Sequence, residues 1–263
     1  MPARYPERIV CLTEETTETL YLLGEQRRIV GISGYTVRPP QARREKPRVS
    51  AFLSAKTDKI LELKPDLVLG FSDLQADICR DLVKAGLNVV VFNQRSVGEI
   101  LNTILVLSAL VGAGEKGLRL VRKLEDGLSA IRRDGKALKR RPRVYFEEWD
   151  EPMISAIRWV SELVEIAGGE DVFKEKSFAK EAKGRIVADP QEVVMRNPDV
   201  ILGSWCGKKF RPERVAARPG WHKISAVKSG QLHEIKSAEI LQPGPAALTD
   251  GVRRIHELLR AAV

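Results

Sequence analysis

EKGLRLVRKLEDGLSAIRRDGKAL, residues 115–138, is the stretch whose reading decides the fold. Leu118, Val121, Leu124, Leu128, Ile131 and Leu138 recur at spacings of three, four and seven, so one narrow apolar stripe faces a core while Lys and Arg fill the remaining surface. Gly112 and Gly114 interrupt the helical pattern before it, Glu115 places a carboxylate in its first turn, and Lys139 to Pro142 close it with cations and a proline. Unbroken, this helix spans about 36 Å at about 1.5 Å per residue. The pattern of the chain before it restarts after it, which predicts a rod joining two similar lobes.

Working outward, each flank reads as alternating strands and helices. Residues 8–12 and 28–33 are short β-branched runs separated by a helix that Gly24 stops; residues 34–47 are a polar loop containing Pro39 and Pro40. Residues 57–63 read as helix, Pro65-Asp66 as a turn, 67–71 as a buried strand, 73–85 as helix and 89–92 as strand. After the rod, 143–146 read as strand, 147–152 as an acidic turn and 155–167 as helix; residues 189–203 then repeat the helix, Pro-Asp, strand, Gly order of 57–70, with Pro198-Asp199 in place of Pro65-Asp66. Short helices over 211–215 and 221–227, a strand over 230–235 and a helix over 245–262 complete the chain. The expected fold class is α/β, two Rossmann-like lobes with parallel sheets: an N-terminal lobe at 1–111, the connecting helix at 112–141, a C-terminal lobe at 142–263, and a ligand cleft between the lobes.

With 263 residues, 43% hydrophobic and 30% charged, the chain has the composition of a globular protein rather than a disordered one. No apolar run reaches the roughly 18 residues of a spanning helix, so no membrane insertion is expected. MPARYPERIV lacks the apolar core of a secretory signal, which predicts a cytoplasmic protein as the sequence stands, and a periplasmic one if the sequence is trimmed. Cys11, Cys79 and Cys206 have no CxxC spacing and imply neither disulfides nor a zinc site. The net charge of +9 lacks the interleaved aromatics of a single-strand groove, so no nucleic acid is expected.

Several segments together resemble a known family: 8–24 (RIVCLTEETTETLYLLG), 30–41 (VGISGYTVRPPQ), 60–69 (ILELKPDLVL), 168–173 (GGEDVF) and 191–202 (QEVVMRNPDVIL). They are similar to the helical-hinge (class III) substrate-binding proteins of ABC importers for vitamin B12, haem and ferric siderophores, and most closely to the vitamin B12-binding members. The resemblance implies a non-catalytic protein that binds a corrinoid or related metal chelate, with no required cofactor and an ABC permease as partner if the protein is exported. It places Tyr35, Phe52 and Phe71 in the first lobe, and Phe146 in the second, where the family sets aromatic rings against a flat ligand. It places Asp58 and Glu192 near the surface carboxylates through which the family docks on permease arginines.

The residues themselves add further candidates. Glu14 and Glu15, and the second cluster Glu147, Glu148, Asp150 and Glu151, each follow the opening strand of a lobe. Crowded carboxylates repel one another and are relieved by a metal or a cationic ligand, which makes Glu147, Glu148 and Asp150 candidate metal ligands, or else by a helix dipole. Trp149 and Trp205 are candidate platforms for a planar ligand, Trp159 reads as core, and Trp221 as a loop anchor. Cys206 is a candidate contact or nucleophile without a base placed to serve it; Lys208, Lys209 and Arg211 suit a ligand carboxylate or phosphate. Two alternatives stay open: a ferric siderophore or haem receptor, and a cytosolic enzyme or metal-handling protein working through Cys206 and residues 147–151.

Overall fold

The computed structural model describes residues 4–263; the first three residues of the expected N-terminal lobe lie outside the described residues. The chain divides into two compact units, one running through Gln94 and continuing with Gly98–Lys123, the other made of Arg95–Val97 and Leu124–Val263. The rod is a single helix, Gly114–Lys136, inside the expected 112–141 segment, and its residues are divided between the units instead of forming a third body. Of its apolar stripe, Val121, Leu124 and Leu128 are buried while Leu118 is exposed.

The first unit holds strands β1 (Ile9–Cys11), β2 (Ile29–Ser33), β3 (Arg48–Ser50), β4 (Leu67–Phe71) and β5 (Val89–Phe92) in one all-parallel sheet of order β3-β2-β1-β4-β5. Both faces of this sheet are covered. Ile9, Cys11, Ile32 and Leu69 pack into one core, Val10, Leu12, Val49 and Val68 into another. That is why these strands read as unbroken apolar runs rather than alternating ones. Strand β3 directly follows the loop read over 34–47 and is assigned no element from the sequence, because three residues at a sheet edge carry too little pattern to be read.

The second unit holds β6 (Arg143–Asp150), β7 (Met153–Ser155), β8 (Glu170–Asp171), β9 (Val200–Gly203) and β10 (Leu232–Glu234). The order is β10-β9-β6-β7, with β8 beside the start of β6. Strands β10, β9, β6 and β8 are parallel, but β7 returns antiparallel to β6, so this sheet is mixed rather than purely parallel. Residues 147–150 therefore correct the expected acidic turn: they continue the strand, and 155 ends β7 before the helix Arg158–Ile166 begins.

The repeated Pro-Asp has one physical role in both units. Asp66 accepts the backbone N–H groups of Glu7 and Arg8 at 2.7 and 2.9 Å, just ahead of β1. Asp199 accepts that of Arg143, the first residue of β6, at 2.9 Å. Each aspartate caps the entry of the neighbouring parallel strand before its own strand starts.

Two glycines of the long helix have opposite environments. A Cβ on Gly135 would lie 2.8 Å from the backbone nitrogen of Gly168 and 2.9 Å from the carbonyl carbon of Ala167, whereas one on Gly127 would meet nothing within 4 Å. Gly135→Ala is expected to lower stability by about 1–2 kcal/mol, the overpacking penalty exceeding the gain in helix propensity. Gly127→Ala is expected to raise it by about 0.5–1 kcal/mol. Thermal melts of the two variants check the pair; equal shifts would contradict the close backbone approach.

Candidate functional site

Parallel strands deliver their carboxyl ends to one edge of a sheet, and in the first unit the strand order reverses beside β1, where an open α/β sheet leaves a crevice. The residues after β1 are Thr13, Glu14 and Glu15, leading into the helix Glu14–Leu22. They do not form an open acidic rim. Glu14 is 4% exposed and Glu15 2%. Thr13 donates its hydroxyl to Glu15 at 2.5 Å, Glu14 accepts the backbone N–H groups of Val37 and Arg38, and Glu18 is paired with Arg38 at 3.1 Å. Among the described residues, Glu14 Oε1 and Glu15 Oε2 find no hydrogen-bond partner. Burial pushes Glu14 up to about 8, with the charges of Glu18 and Glu15 adding to it, and pushes Glu15 up to about 7. At this edge Tyr35 is exposed, Phe52 half-buried and Phe71 buried. Gln75, unread in the sequence, binds the segment together: its side chain accepts from Phe71 N at 2.9 Å and donates to Phe52 O at 3.0 Å.

At the carboxyl end of β6 the second acidic cluster is dismantled pairwise. Glu147 is fully buried and receives four hydrogen bonds: Arg218 at 2.5 and 2.9 Å, Trp205 Nε1 at 3.0 Å and the Tyr145 hydroxyl at 3.1 Å. Glu148 is held in a fork by Arg185 at 2.5 and 3.1 Å. Asp150 is paired with Lys208. The expected metal set of Glu147, Glu148 and Asp150 is therefore corrected, because each carboxylate already has its own cation. Among the described residues no group of three or more His, Cys, Asp or Glu side chains is placed to hold a metal ion. Burial would lower the pKa of Arg218, but its hydrogen bonds to Glu147 and the carboxylate's charge raise it.

The aromatic candidates separate. Phe146 is fully buried, with no face for a ligand, which corrects its expected role. Trp205 is 3% exposed and packs edge-on against Phe210, ring centroids 5.0 Å apart, so it is core and not an open platform. The cause lies in Gly203: a Cβ there would sit 1.9 Å from the Phe210 ring, so the glycine makes room for the phenyl ring that covers the indole. Trp149 stays half-buried, its N–H donating to Glu151 O at 2.9 Å. Trp159 is core as expected, and Trp221 is fully buried rather than a loop anchor only.

Lys208, in the loop after β9, is brought to both indoles: its ammonium lies 4.3 Å from the Trp149 ring centroid and 5.2 Å from that of Trp205. Cys206 is exposed on its loop, yet partial desolvation of the thiol, together with the Glu148 charge, holds it above its ordinary pKa, the reverse of an activated nucleophile. Lys209 is exposed and Arg211 lies 3.9 Å from Glu213. Asp58 is exposed, whereas Glu192 is half-buried and paired with Arg196 at 2.6 Å. Among the described residues no helix is long and apolar enough to cross a membrane.

Known proteins share this architecture. The chain is 26% identical to an uncharacterized ABC transporter substrate-binding lipoprotein of Bacillus subtilis over 258 residues, covering 96% of this chain and 79% of that protein. It is 26% identical to the vitamin B12-binding protein of Vibrio cholerae over 263 residues, covering 97% of this chain and 90% of that protein. The periplasmic heme-binding protein RhuT from Roseiflexus sp. RS-1 superimposes with a TM-score of 0.79 at 22% identity, covering 96% of this chain and 99% of that one. With residues 9–239 matching its family profile, two α/β units and one shared long helix, the chain belongs to the periplasmic binding protein family, the binding proteins of transporters.

Proposed function

We propose that this protein is the non-catalytic substrate-binding component of an ABC importer and that its ligand is a corrinoid. The observation that carries the reading is the make-up of the carboxyl edge of the second unit's sheet: aromatic and cationic side chains, with Glu147, Glu148 and Asp150 each neutralised by a separate cation. Such an edge offers the half-buried Trp149 ring and hydrogen-bond donors, and no poised base or nucleophile. The full-length similarity to vitamin B12-binding proteins supports the corrinoid, and Asp58 and Glu192 are the carboxylates offered to a permease. Glu192 is already paired through one oxygen with Arg196, so a partner's arginine shares or displaces that pairing.

Titration of the purified protein with cyanocobalamin and with dicyanocobinamide is expected to give a saturable visible-absorbance change and heat at one ligand per chain. Flat titrations with both overturn the corrinoid reading. Saturation by haemin or a ferric siderophore in their place would transfer the site to the other metal chelates.

A further inference from the structure

Trp149, Trp205 and Asp150 enclose a cation in this structure, and that cation is the protein's own Lys208. The walls of the enclosure are fixed independently of their occupant. Trp205 is held through its N–H by Glu147, which Arg218 and Tyr145 hold in turn. Trp149 is held through its N–H by the backbone carbonyl of Glu151 at 2.9 Å, and Asp150 is buried on strand β6. The occupant is held far less firmly. Residues 206–209 are all exposed, Gly207 turns the chain at φ +79° with open space around it, and the Lys208 side chain remains 39% exposed despite its ion pair. Two indole faces and one buried carboxylate around a single charge are the chemistry that recognises an ammonium group, because the ring quadrupoles and the carboxylate act on the same cation.

We propose that this enclosure is a binding site for an alkylammonium group, primary or methylated, and that Lys208 is a tethered competitor that a ligand displaces. Its flexible stem presents the lysine ammonium at an effective concentration in the millimolar range, so a free ammonium ion competes at a disadvantage that vanishes with the lysine. Displacement releases Lys208 to solvent or to a bound ligand's anionic group, and the indoles and Asp150 stay in place. This site shares Trp149, Asp150 and Lys208 with the edge on which the corrinoid reading rests, but the two are tested separately: cobinamide titration tests that reading and a simple ammonium salt tests this one.

The test uses the full chain and tetramethylammonium chloride, followed by calorimetry with sodium chloride at matched ionic strength as the reference. In Lys208→Ala the dissociation constant for tetramethylammonium is expected to fall at least tenfold below that of the unaltered protein. In Lys208→Ala/Trp149→Ala the saturable heat is expected to disappear. Lys208→Arg, which refills the enclosure with another cation, is expected to bind as weakly as the original. Should the alanine variant fail to fold, Lys208→Gln keeps the stem, lacks the charge and carries the same expectation. The proposal is overturned if removing the lysine charge leaves tetramethylammonium binding unchanged, or if binding survives loss of Trp149.

Discussion

Arg218→Met is expected to cost about 3–5 kcal/mol of stability, because it strands the Glu147 carboxylate in a site with no solvent contact. The guanidinium supplies two of the four hydrogen bonds to that carboxylate, and the other two donors, Trp205 Nε1 and the Tyr145 hydroxyl, are neutral. The unpaired charge must then be protonated at a cost or draw in water by opening the core around Tyr145, Phe173 and Trp221. A buried ion pair differs from a surface one in this asymmetry: removal of one member is severe, removal of both charges far less so. Glu147→Gln/Arg218→Met is accordingly expected to recover most of the loss, since the amide oxygen still accepts from Trp205 and its NH2 group can donate to the tyrosine oxygen. Denaturant titration of the single and double variants measures the difference. A double variant as unstable as the single one would show that Arg218 acts by packing on Trp221, whose ring centroid lies 4.6 Å from its guanidinium carbon, and not by neutralising Glu147.

That pair also marks the boundary of what could be read in the sequence. Run 67–71 coincides with β4, since a strand covered on both faces must be apolar throughout; run 89–92 coincides with β5, an edge strand on which Val91 stays exposed. The duplication was legible through Pro65-Asp66 and Pro198-Asp199, read as turns; that each aspartate caps the entry of the neighbouring strand is visible only in the structure. The segment 147–150 was misread because strand patterns are recognised by apolar residues, and here the strand carries three carboxylates. They are tolerated because cations 71, 37 and 58 residues away fold onto them, in Arg218, Arg185 and Lys208. Pairing over such separations leaves no local mark. Trp205 failed as a platform for a related reason: position after a strand says where a side chain begins, while Phe210 decides whether its face stays open. Gly203 was the available signal, a glycine inside an apolar strand seven residues before an aromatic ring.

Stability is expected to fall as pH rises from about 5 to about 8.5, with Glu14 as the largest source of that slope. Its folded pKa of about 8 and that of Glu15, about 7, both stand above the ordinary 4.5, so the folded chain holds protons that the unfolded chain releases. The sign follows from that inequality: stability is fully present below about 4.5 and is lost as pH climbs through the folded values. Asp171, pushed up by burial to about 6, contributes in the same direction over a narrower window. The groups around the pair oppose this slope only in part. Arg38 is committed to Glu18, and the Thr13 hydroxyl and the Val37 and Arg38 backbone N–H groups favour the charged forms without overcoming desolvation. Glu14→Gln keeps an acceptor for those amides and removes the ionisation, so it is expected to match the unaltered protein near pH 5 and to exceed it at pH 8.5 by roughly 2–4 kcal/mol, each pKa unit being worth about 1.4 kcal/mol at most. Melting temperatures at the two pH values decide the matter. A flat profile in the unaltered protein would mean that these carboxylates ionise freely, and the crevice beside β1 would then be an open acidic mouth instead of a closed, proton-holding seam.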